Sequence, residues 1–153
     1  MDHGMKAAEL FLSGYNCAQS VAVAFCDVTG LEEKFAARMV SSFGGGMGRI
    51  REVCGAVSGM FFVLGLLYGY DTPGDDVSKK RLYTDVQALA AKFREQCGSI
   101  VCREILKNPP TDPTPSPRTE EYYKVRPCAR MVLVAGRLMD EFIATHPLEE
   151  SHG

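Results

Sequence analysis

The sequence has no blocks of like charge, no sustained alternation of apolar and polar residues, no internal repeat and no C-x-x-C pair. The first absence removes the electrostatic footprint of a nucleic-acid binder or of a protein held on an anionic membrane, in keeping with a formal net charge of -2. Without period-two alternation there is no half-buried strand to propose, which leaves an all-α class. Without C-x-x-C there is neither a thioredoxin-like redox pair nor a paired-knuckle zinc site, and without C-x-x-C-H there is no covalent c-type haem. The three histidines, His3, His146 and His152, lie near the ends and away from the cysteines, so none is a good candidate for a metal ligand or an acid-base catalyst. Residues 1–12 carry no basic stretch leading into an apolar run, so no secretory signal is read there and the expected compartment is the cytoplasm.

What is present is a chain of 153 residues, 46% of them hydrophobic, enough to bury a core and short enough for one domain over 1–153. Val53 to Tyr70 has no charged residue and approaches the length of a membrane span. Gly55, Gly59, Gly65 and Gly69 leave it few large side chains for lipid, and the amphipathic segments elsewhere need a partner to bury against. The segment is therefore expected to be a buried, glycine-rich central helix, with no membrane insertion and six to seven helices in the bundle around it. Gly55 and Gly59, one turn apart, give it a flat face for a close neighbour.

Helical spacing predicts the rest of the bundle. Met5–Leu12 makes one helix, Gly14 breaks it, and Asn16 caps a second over Cys17–Val28, with Cys17, Val21, Phe25 and Val28 on its inward stripe. A third helix over Glu32–Ser42 should point Phe35, Met39 and Phe43 inward. After a turn at 71–76, Leu82, Val86, Leu89 and Phe93 mark a long amphipathic helix ended by Gly98. A short helix over Cys102–Leu106 precedes a Pro-rich surface loop at 108–118, and a last helix begins near Pro127, with Met131, Ala135, Leu138 and Phe142 on one face.

Six cysteines in a reducing setting are more often ligands or working thiols than staples. Four of them, Cys17, Cys54, Cys102 and Cys128, stand at expected helix starts. There, unpaired N–H groups and the positive end of the helix dipole favour thiolate, the form that binds metal and attacks disulfides. Spacing alone leaves these four open to being a cofactor site or merely small buried hydrophobes. Cys26 is expected to be core filler. Cys97, five residues before Cys102, is expected to pack, with pairing to Cys102 or a spare thiol as alternatives.

The blocks Gly14-Tyr15-Asn16-Cys17-Ala18-Gln19-Ser20-Val21, Phe43-Gly44-Gly45-Gly46-Met47-Gly48, Cys54-Gly55-Ala56-Val57-Ser58-Gly59, Cys102-Arg103-Glu104-Ile105-Leu106 and Cys128 occur in this order over nearly the whole chain. Together they resemble the C_GCAxxG_C_C family, defined by four cysteines and a CGAxxG element and named for a redox role. The resemblance puts the family's four positions on Cys17, Cys54, Cys102 and Cys128. Haem-bearing proteins of the split-Soret cytochrome type look similar in this region and carry an iron-sulfur centre. The resemblance thus implies that the four thiolates hold an iron-sulfur cluster, 2Fe-2S, and move electrons to a redox partner that the sequence does not identify. A metal-free dithiol/disulfide module and a structural zinc site are the alternatives.

Other features carry less. Gly44 to Gly48 lacks both the third glycine and the preceding strand of a nucleotide-binding loop. Arg49 and Arg51 are expected to be solvated, with a lesser reading in which they bind an anionic substrate or balance cluster charge. Glu52 and Glu104 adjoin cysteines but are expected to be surface residues and not proton relays. A homodimer is the oligomeric state favoured by precedent among small soluble proteins.

Overall fold

The computed structural model describes residues 1–148, so His152 lies outside the described residues. Every element among the described residues is helical: α1 (His3–Leu12), α2 (Cys17–Ala24), α3 (Cys26–Thr29), α4 (Glu33–Met39), α5 (Gly44–Met47), α6 (Gly55–Tyr68), α7 (Asp76–Cys97), α8 (Cys102–Leu106), α9 (Glu120–Val125) and α10 (Cys128–Thr145), with a 3-10 turn at Ser41–Phe43. The all-α class holds, and the seven expected helices are present. Three further short segments arise where the expected second helix divides at Phe25, where the glycine run coils on itself as α5, and where α9 precedes the last helix.

Helix α6 is the central element because its sequence offers a buried surface nearly all round. Gly55, Ala56, Val57, Gly59, Met60, Val63 and Leu64 are all buried. Burying a side chain such as Met60, Val63 or Leu64 contributes about 1.5–3 kcal/mol each. The expectation of close packing at its glycines is met. A methyl group on Gly55 would stand 3.0 Å from Cys17 Cβ, and one on Gly59 would stand 3.0 Å from Val21 Cβ, so α2 lies directly on this face. No helix among the described residues is long and apolar enough to cross a membrane.

The main hydrophobic cluster runs from Ala7 and Phe11 of α1 through Val21, Met60 and Leu64 to Leu89 and Phe93 of α7 and Met131, Leu138 and Phe142 of α10. Helix α1 packs on α10 through a second pair of glycines, since a methyl group on Gly136 would stand 2.6 Å from Gly4 Cα. His3, set aside in the sequence as a metal ligand or acid-base catalyst, is buried at this junction. Its ring stacks on Phe25 at 4.3 Å between centroids, and its Nδ1 and Nε2 lie 2.6 Å and 3.0 Å from the carboxylates of Asp140 and Asp27. It ties α1 to α3 and α10, far in role from the cysteines. His146 stacks on Phe142 at 3.9 Å at the C-terminal end of α10.

The inward stripe proposed for the third helix is not the one that forms. Phe35 is 52% and Met39 43% exposed, whereas Ala36, Ala37 and Val40 are buried. Helix α4 presents its small residues because α2 stands so close: Gln19 Nε2 donates to the Ala37 carbonyl at 3.1 Å, and Val40 packs with Ala18 and Ala22.

Candidate functional site

The four cysteines at helix starts reach one place by three local devices. At Cys17, the first residue of α2, a complete capping box sets the helix entry: the Asn16 side chain accepts from Gln19 N at 2.9 Å and Asn16 N donates to Gln19 Oε1 at 3.1 Å. Cys54, the N-cap of α6, and Cys102, the first residue of α8, are brought side by side by a short antiparallel pairing between 51–54 and 100–103. Cys54 N donates to Ile100 O at 2.7 Å, Cys102 N to Glu52 O at 2.6 Å and Arg103 N to Arg51 O at 3.1 Å. Cys128 opens α10 after Pro127.

The glycine run is the floor of this arrangement. Gly45 and Gly46 have φ of 68°, Gly48 59°, and the non-glycine residues Met47, Arg49 and Arg51 also lie at positive φ, 69–71°. Such backbone is uncommon outside glycine and concentrates at functional sites. Gly46 can have no side chain, because a methyl group there would stand 2.6 Å from Cys102 Cβ.

Cys17, Cys54, Cys102 and Cys128 line one cavity of about 220 Å³. Cys54, Cys102 and Cys128 are buried, Cys17 is half-buried, and all six cysteines are free thiols. Among the described residues, no group of three or more His, Cys, Asp or Glu side chains is drawn close enough to grip a single metal ion.

Three of the four thiols are shifted opposite to the expected effect of helix starts. The hydrogen bond to Cys128, followed by burial, holds Cys17 well above the ordinary thiol range. Burial pushes Cys54 up to about 12, although the backbone N–H groups of Ala56 and Val57 pull the other way. Cys102 is also raised by burial, against the pull of Arg51. Only Cys128 behaves as the sequence suggests, lowered to about 7 by the hydrogen bond with Cys17 and by Arg126, Arg118 and Arg51. Loss of water outweighs the helix end at Cys54, and at Cys102 even with Arg51 against the sulfur.

Charge on the cavity wall is one-sided. Arg49, Arg51, Arg118 and Arg126 line it, and no aspartate or glutamate does among the described residues. Arg51, expected to be solvated, is only 3% exposed. Its Nε donates to Pro110 O at 3.0 Å, its Nη1 to Cys102 Sγ at 3.7 Å, and its Nη2 has no partner. A buried guanidinium with an idle donor and no carboxylate is costly, by several kcal/mol, unless an anion joins it. Four sulfurs and this donor set fit an anionic thiolate-ligated group.

The Pro-rich segment is exposed outward yet forms part of the wall through Pro115 and Ser116. Arg49 fastens it, donating to Asp112 O at 2.8 Å and Ser116 Oγ at 3.3 Å. Arg118 closes the adjoining side: its guanidinium lies 4.6 Å from the Phe11 ring centroid and donates to the carbonyls of Phe11 and Tyr15 at 3.1 Å. Neither Arg118 nor Tyr122 carries a signal in the sequence, since each reaches the cavity only through the course of the strap.

The remaining candidates stand elsewhere. Glu52 pairs with Arg103 and Glu104 bonds Ser99, and neither lines the cavity. Cys26 donates to Ala22 O at 3.7 Å inside the core. Cys97 packs at the core edge beside Arg130, outside the cavity and unbonded to Cys102.

The fold and site define an all-helical protein with four thiols around one arginine-walled cavity. The chain belongs to the C_GCAxxG_C_C family, whose model, described as "Putative redox-active protein (C_GCAxxG_C_C)", matches residues 15–142. No curated protein and no solved structure matches it.

Proposed function

We propose that the protein transfers electrons through an iron-sulfur cluster, 2Fe-2S, held by Cys17, Cys54, Cys102 and Cys128. The observation that carries this reading is the shared cavity: four thiols separated by up to 111 positions line one space with a buried, incompletely bonded arginine. Such a cluster, when bound, accepts and returns one electron without making or breaking a bond to substrate.

The chain's own residues supply the setting. Cys54 and Cys102 are fixed by the 51–54/100–103 pairing, Cys17 by its capping box, and the Pro-rich strap restricts water. Arg51, Arg118 and Arg126 offset negative charge on the sulfurs. A single zinc is less well suited: with Zn–S of about 2.3 Å, tetrahedral sulfurs stand about 3.8 Å apart, whereas here no three are gathered for one ion. A dithiol/disulfide cycle is favoured by one observation alone, the nearness of the Cys17 and Cys128 thiols, each of which shifts the ionisation of the other.

Anaerobically purified protein, reduced with dithionite and examined by electron paramagnetic resonance, tests the proposal. It should give the signal of a one-electron-reduced cluster, lost on reoxidation. A protein silent in both states, with a reversible Cys17–Cys128 disulfide, supports the dithiol cycle instead.

A further inference from the structure

We propose that Arg51 is the buried counter-ion of the cofactor in the cysteine cavity and sets its reduction potential through the sulfur of Cys102. This rests on the cluster reading above. Four observations on one residue converge. Its guanidinium is buried, its Nη1 already donates to Cys102 Sγ at 3.7 Å, its Nη2 has no partner although the residue lines the cavity, and it forms no ion pair with any carboxylate among the described residues.

The placement is built in. Arg51 sits at φ 70° between the glycine floor and Cys102, where a methyl group on Gly46 would stand 2.8 Å from Arg51 Cα. Its carbonyl accepts from Arg103 N at 3.1 Å and from Arg103 Nε at 3.2 Å, so its backbone is held in place. The Nε bond to Pro110 O aims the planar fork. An arginine meant for solvent needs none of this.

The consequence is directional. Reduction takes one electron from an external one-electron donor, with no bond broken and no proton required, and adds one negative charge to the thiolate-ligated group. A fixed cation and a hydrogen bond to a ligand sulfur favour that more negative form, so both raise the potential. Removing them makes reduction harder.

The test uses full-length wild type, Arg51→Met and Arg51→Lys, each loaded anaerobically, assayed for iron and sulfide, and titrated with dithionite while visible absorption is followed. Arg51→Met should carry the same iron and sulfide per chain yet show at least a tenfold lower ratio of reduced to oxidised form at a given potential, about 59 mV for a one-electron couple. Arg51→Lys should shift in the same direction by less, because it keeps the charge and loses the fork. Should Arg51→Met fail to fold or load, the shift in Arg51→Lys decides. Loaded variants with the wild-type potential overturn the role of Arg51 alone. A wild type that binds no iron and sulfide overturns the cluster reading and this inference with it.

Discussion

A methyl group placed on Gly59 would stand 2.8 Å from the carbonyl oxygen of Ala18. Helices α2 and α6 therefore touch through backbone at the residue following Cys17. Gly59→Ala must push α2 away, and overpacking of this kind costs about 1–3 kcal/mol. Urea unfolding of the metal-free protein should show that loss. Unchanged stability would mean that the two helices stand farther apart.

Asn16→Ala removes the side-chain half of the capping box, in which Asn16 Oδ1 accepts from Gln19 N, together with the Asn16 bond to Ser41 O at 3.1 Å, and keeps the backbone N–H that donates to Gln19 Oε1. A lost cap costs about 1 kcal/mol. Because the box orients Cys17, the variant should also release iron faster to a chelator than wild type does. Normal retention with lowered stability would separate the cap from the site.

How much of this was legible in the sequence differs by element. Helices α6, α7 and α10 were, because each is long and marked by a periodic apolar stripe or by a charge-free, glycine-spaced run. The face of α4 was not. Its Phe35 and Met39 repeat at helical spacing, but the proximity of α2, whose Ala18 and Ala22 pack on Val40, leaves room only for Ala36, Ala37 and Val40. Local pattern cannot report a distance fixed by another helix. The cysteines were legible as a set through their ordered blocks. Their protonation was not, since helix ends are visible in sequence and burial is not. Arg51 was misjudged for the same reason: the 51–54/100–103 pairing that buries it is too short to leave a strand signal.

Serine substitution should divide the cysteines into two groups. Cys17→Ser, Cys54→Ser, Cys102→Ser and Cys128→Ser should each lose most bound iron and sulfide. Cys26→Ser and Cys97→Ser, outside the cavity, should keep it. Iron assays on the six anaerobically purified variants check this, and loss confined to Cys97→Ser would redraw the site.

Ligation requires thiolates, so every ligand protonated in the metal-free state must give up a proton when the cofactor binds. Burial, with the Cys128 hydrogen bond leading at Cys17, holds Cys17, Cys54 and Cys102 in that state at neutral pH. Cys128 joins them as pH falls through about 7. The sign follows: acid favours the protonated, metal-free form, and the cost of binding grows from three protons to four below that point. Iron retention against a fixed chelator should weaken steadily as pH falls, most steeply from about pH 7 downward. Retention indifferent to pH across this range would show that the thiols are already ionised before metal arrives.

The most direct test of the account is the iron and acid-labile sulfide content of protein purified without exposure to air, with zinc measured alongside. Two irons and two sulfides per chain, with visible charge-transfer absorption, are the expected result. A colourless protein with neither element and four freely alkylated cavity thiols, or one holding a single zinc, would contradict it.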